Sequence, residues 1–218
     1  MTSTYVATLE LAAGAVLLSA VMTLWRRSVS SIVAMLRLQG VALCAVAVDL
    51  ARHENDRALL VTGALVLVVK GVVVPTVLRR VAKWDPRSRE SRPLVNVPAS
   101  LVFAAGLIVL SYVVGTRITS LSPDDATRLA PLGLATVLVG YFMLVTRRRA
   151  VSKIVGLIVV DNGIALVTFL LTSGVPLIVE LGSSLDVMLV VVVLQFLMAS
   201  VRHHSRIDAL TELRELRD

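Results

Sequence analysis

The stretch "GLIVVDNGIALVTFLLTSGVPLIVELGSSLDV", Gly156 to Val187, decides the fold of this chain. It joins two apolar runs through the uncharged connection Thr172–Pro176. Each run is of the length that crosses about 30 Å of hydrocarbon at about 1.5 Å of helical rise per residue. The stretch therefore reads as a membrane helical hairpin. Yet it carries Asp161, Glu180 and Asp186, and ionisable groups inside a bilayer are rare, costly and commonly functional.

The composition extends this reading to the whole chain. Of 218 residues, 56% are hydrophobic and the mean hydropathy is +0.85, against an apolar share of about 45–50% in a soluble domain. Aromatics make up only 4%. The apolar runs are about 20 residues long, which suits spanning helices rather than the roughly 10-residue strands of a barrel. The class is all-α, a polytopic membrane helix bundle. The net charge of +7 lies in short clusters between apolar runs, with no aromatic base-stacking motif, so nucleic acid is not an expected partner. The one cysteine, Cys44, falls inside a span and offers neither a disulfide framework nor a metal pair.

Apolar windows mark about seven spans, near 5–25, 30–50, 58–78, 95–115, 128–146, 151–172 and 177–199. "MTSTYVATLE" lacks a positive n-region, and the first run continues to Trp25 before Arg26 and Arg27, so it reads as a first helix and not a cleavable signal. Basic clusters follow spans 1, 3, 5 and 7: Arg26 and Arg27, "RRVAKWDPRSRESR", "RRRAVSK" and "RHHSR". The other connections are balanced, acidic or uncharged. The positive-inside rule then places the N-terminus outside and the C-terminus in the cytoplasm, with the inner (cytoplasmic) membrane as the expected location. The long basic loop divides the chain into a three-helix part (1–93) and a four-helix part (94–202), followed by an amphipathic tail (203–218) with Ile207, Leu210, Leu213 and Leu216 at helical spacing.

Within the spans, Arg37 and Gln39 lie near the middle of the second, Lys70 near the middle of the third, Asp161 at the middle of the sixth and Asp186 near the middle of the seventh. Glu10 and Glu180 lie toward the outer side. At about 2.5–3.5 kcal/mol for each central charge, the four midplane groups sum to roughly 10–14 kcal/mol. Two acids and two bases at one depth can neutralise one another. Such pairs can simply fasten helices, but desolvation offsets most of the Coulomb gain of a buried pair, so retaining several points to a proton or ion relay. Lys70 is apt for a lysine whose protonation a neighbouring acid switches. Gly71 and Pro75 can loosen or kink its helix. Asn162 can donate and accept, and Gly163 allows close helix approach. His53, His203 and His204 sit at span ends, where they read as solvated. No phosphate loop, nucleophile elbow or metal box is present, so the chain is expected to hold no catalytic centre, metal or cofactor of its own.

The strings "MLRLQGVALCAVAV" (Met35–Val48), "LVVKGVVVPTVLRR" (Leu67–Arg80) and above all the opening stretch resemble the hydrogenase-4 component E family. This is a membrane subunit of formate-hydrogenlyase-like [NiFe] hydrogenase complexes. Its last helices are similar to the K-type subunit of complex I and the C-type subunit of cation/proton antiporters. The resemblance implies a non-catalytic subunit of an oxidoreductase complex, packed between antiporter-like membrane subunits and a membrane anchor subunit. Soluble hydrogenase-like partners would carry the Ni–Fe centre and iron–sulfur clusters. It also implies a proton or cation path through Asp161, Glu180 and Asp186, with Lys70 and Arg37 as tuning bases. Where the family has Glu before Asn-Gly, this chain has Asp161, one methylene shorter. The rival reading from residues alone is a free-standing secondary transporter, against which stands the lack of a clear internal repeat.

Overall fold

The computed structural model describes residues 2–26, 28–83, 96–119, 124–147 and 150–172. Along the chain these form α1 (Thr2–Trp25), α2 (Val29–Glu54), α3 (Arg57–Val66), a π-helical segment (Leu67–Val73), α4 (Val74–Lys83), α5 (Val97–Thr119), a short 3-10 turn (Thr127–Leu129), α6 (Ala130–Thr146) and α7 (Ala150–Thr172). Since α3, the π segment and α4 run on as one rod, the described residues hold six helices long and apolar enough to cross a membrane. They are the first six expected spans, and the protein is an all-α polytopic membrane bundle. The seventh expected span and the tail fall outside the described residues.

The helix ends follow local chemistry. Ser28 opens α2 by accepting from the Ser31 backbone N–H at 3.3 Å, a side-chain N-cap. The apolar window near 30–50 understates α2, because Arg52, His53 and Glu54 continue the helix beyond it. It stops at Asn55, whose φ of 57° lies in the left-handed region asparagine tolerates. Asp56 then caps α3 by accepting from the Ala58 N–H at 2.8 Å. These two polar residues make the whole hairpin between α2 and α3.

Mid-rod, the ladder widens. Pro75 has no N–H and its ring crowds the carbonyl four residues back; here that carbonyl belongs to Gly71. The backbone answers by shifting to longer bonds, and the Val74 N–H donates to Val69 O. The loosening expected at Gly71 and Pro75 thus takes the form of a π segment, a feature frequent at functional sites.

The bundle buries two apolar layers. One joins Leu9, Val16, Leu43, Leu50, Leu59 and Phe169, from α1, α2, α3 and α7. The other joins Leu24, Leu36, Leu78, Met143, Ile154 and Ile158, from α1, α2, α4, α6 and α7. Between them, at one height, lie Ser19, Gln39, Lys70, Thr136 and Asn162, all buried. At the end of the second layer, Trp25, Arg26, Ser28, Val97 and Pro98 line one cleft, with Arg147 beside them. At the other end Tyr5 stacks on His53 at 4.1 Å. The basic ends of α1 and α6 therefore converge, as the alternation of charge along the sequence predicts.

Glycines set the spacing. A Cβ on Gly40 would lie 2.5 Å from Gly71 N and 2.7 Å from Lys70 C, so α2 meets the π segment backbone to backbone. A Cβ on Gly163 would lie 2.6 Å from Val137 N, and one on Gly140 2.7 Å from Val160 N, which seats α6 on α7. Gly40→Ala should therefore cost about 1–3 kcal/mol through overpacking. Gly106→Ala, where nothing lies within 4 Å of the added methyl, should be neutral or slightly stabilising by helix propensity. Thermal midpoints of the purified variants in detergent check this, and equal effects at the two sites would contradict the close approach.

Candidate functional site

The polar layer is built around one ion pair. Lys70 Nζ sits 2.9 Å from Asp161 Oδ2, and the two side chains are only 2% and 12% exposed. The alignment is that of a Coulombic contact rather than of a well-directed hydrogen bond. The fold brings them together from opposite halves of the sequence. Lys70 lies in the middle of the π segment and Asp161 at the middle of α7.

An amide chain stands beside the pair. Asn162 Nδ2 donates to Gln39 Oε1 at 2.8 Å, and Gln39 Nε2 donates to the Val16 carbonyl at 3.2 Å. The Ser19 hydroxyl donates to that same carbonyl at 2.8 Å. This chain ties α7 to α2 and α2 to α1 at the height of the ion pair. Its polarity is fixed by the atoms: each amide nitrogen donates, and the last acceptor is a backbone carbonyl. Such a chain positions groups but passes no proton along. Asn162 Oδ1, itself buried, accepts no hydrogen bond among the described residues, which leaves one acceptor open next to Asp161.

Lys70 and Asp161 hold an ammonium and a carboxylate in direct contact, so a proton passing between them would leave the net charge of the site unchanged. Of the two, Asp161 is the more accessible.

The other sequence-nominated residues divide clearly. Gln39, Asn162 and Gly163 join the site or pack its helices. Glu10 on α1 and Arg37 on α2 are exposed on the bundle surface and are not brought to the pair. Glu180 and Asp186 lie outside the described residues. His53 is exposed, as expected, though its ring is covered by Tyr5. Sequence reasoning missed Arg147. It is 4% exposed and its Nη2 donates to the Leu24 carbonyl at 2.7 Å, a cation on the last carbonyls of α1 where the helix dipole favours it. Its only sequence signal is its place as the first of three arginines directly after an apolar run.

If the amide chain positions the layer, Gln39 and Asn162 are coupled. In a double-mutant cycle of Gln39→Leu and Asn162→Leu, read as unfolding free energies in mixed detergent, each single variant should lose about 1–3 kcal/mol. The double variant should lose less than the sum, by about 0.5–2 kcal/mol. Strict additivity would show that the bond carries no weight.

No family model matches the chain, and no solved structure matches it. It is similar to the uncharacterized protein Rv0085 of Mycobacterium tuberculosis, with 40% identity over 210 residues covering 96% of each chain. It is also similar to hydrogenase-4 component E of Escherichia coli K12, with 29% identity over 154 residues, 69% of this chain and 70% of that protein. The Shigella flexneri hydrogenase-4 component E gives the same identity and coverage. On that identity and coverage the chain belongs to the family of Mycobacterium tuberculosis Rv0085, in distant relationship to hydrogenase-4 component E.

Proposed function

We propose that this protein is a non-catalytic membrane subunit of a complex I-like, energy-converting [NiFe] hydrogenase. In this reading it contributes the Lys70–Asp161 pair to a proton or cation path and links antiporter-like subunits to the membrane anchor. The observation that carries the proposal is the ion pair itself, buried between two apolar layers at the height of a π segment. The distant relationship to hydrogenase-4 component E supplies the kind of complex. Redox metals belong to partner chains in this account, and this chain's residues hold and move charge. The basic end of the bundle faces the cytoplasm.

A purely fastening role for the pair makes a different prediction, and an apolar replacement separates the two. Removing one partner alone strands a buried charge, at about 3–5 kcal/mol, whereas replacing both with apolar groups of similar volume is often neutral. The double variant Lys70→Met with Asp161→Leu should therefore assemble at close to the normal level. Its ion movement, measured per assembled complex in proteoliposomes, should fall at least about tenfold, the scale of 1.4 kcal/mol. Normal ion movement in that variant would reduce the pair to a fastener. Gentle purification of the tagged chain should recover antiporter-like subunits together with nickel and iron. A lone, metal-free chain would instead favour a free-standing transporter.

A further inference from the structure

Arg37 poses a problem that the ion pair does not solve. It lies two residues before Gln39 on α2, about 3 Å along the helix axis, and Gln39 is bonded to Asn162 at mid-helix of α7. The guanidinium is thus rooted at the level of the polar layer. Gln39 turns inward and is fully buried, while Arg37 is exposed on the outer surface of the bundle. Its neighbours on that surface are apolar: Ala34 is exposed, and Leu38 and Val41 are 45% and 52% exposed. Among the described residues no carboxylate pairs with it. A permanently charged group in an apolar face at membrane depth requires a counter-charge or a route to the headgroups.

We infer that the Ala34–Val41 face of α2 docks a transmembrane helix of another subunit, one that presents an Asp or Glu side chain at the depth of Arg37. Charge complementarity selects this occupant. The apolar flanks suit a helix in lipid, and the small side chain of Ala34 allows its backbone to come close. A bidentate carboxylate satisfies the guanidinium fork in a way that hydrocarbon cannot. Arg37 then belongs to an intersubunit contact and not to the Lys70–Asp161 pair. The inference rests on the proposed function only in requiring a membrane partner.

Photo-crosslinking in intact membranes tests it. A benzophenone amino acid is placed at Leu38 or at Val41 of the tagged full chain, and adducts are mapped to residues by mass spectrometry. The expected adduct is to a transmembrane helix of a different polypeptide, within one turn of an Asp or Glu. Its yield should fall at least fivefold with Arg37→Ala, recover in part with Arg37→Lys, and fall likewise when the partner's acid is changed to its amide. Adducts to lipid alone would show that Arg37 reaches to the headgroups and would overturn the inference. So would adducts to this chain's own Glu180 or Asp186 region or to a second copy, a partner helix without a carboxylate, or a yield indifferent to Arg37→Ala. A partner helix with its acid, recovered in a complex without nickel and iron, would uphold this contact while removing the hydrogenase reading.

Discussion

The structure depends on neutralising a lysine in the middle of an apolar bundle. Lys70 is nearly inaccessible, in a polar layer set between two apolar ones. Asp161 supplies the counter-charge, and that requirement fixes how the helices meet. The π segment lies against α2 backbone to backbone, which Gly40 permits by having no side chain to collide with Lys70 and Gly71. Asn162, the next residue after Asp161, must then find a partner of its own, and Gln39 fills that place while anchoring to Val16 on α1. One charge thus accounts for a layer that crosses α1, α2, the π segment and α7.

The layered arrangement also separates apolar packing from polar contacts. The apolar layers on either side hold the helices by packing, and the glycine-lined contact of α6 on α7 makes that packing close. The π segment is where the ladder widens, because Pro75 has no N–H to give and the Val74 N–H donates to Val69 O. Gly40 on α2 meets that segment backbone to backbone, so the rod is held where its ladder changes.

Much of this was legible in the sequence, for identifiable reasons. Hydropathy is a one-dimensional property, so the first six spans and the charge segregation of their ends could be read from windows and clusters. Depth and charge balance showed that two central acids and two central bases could neutralise one another, but which base meets which acid was not legible, and the fold supplies the Lys70–Asp161 pair. Orientation about the helix axis was harder to read. Arg37 and Gln39, two positions apart, sit about 160° apart around α2, and a span apolar on all sides gives no stripe to say which of them faces inward. Arg147 escaped because a run of three arginines reads as a topology signal, and burial of the first depends on a carbonyl 123 residues away at the end of α1.

The central claim is that Asp161 changes protonation as the assembled complex works. Infrared difference spectroscopy of the complex in proteoliposomes, comparing resting and turning-over states, reads this at the carboxyl group itself. The account predicts a carboxylic-acid band that appears or vanishes with turnover and is missing from the Asp161→Asn variant. A carboxylate signal at Asp161 that stays constant through turnover, with ion movement proceeding normally, would contradict it.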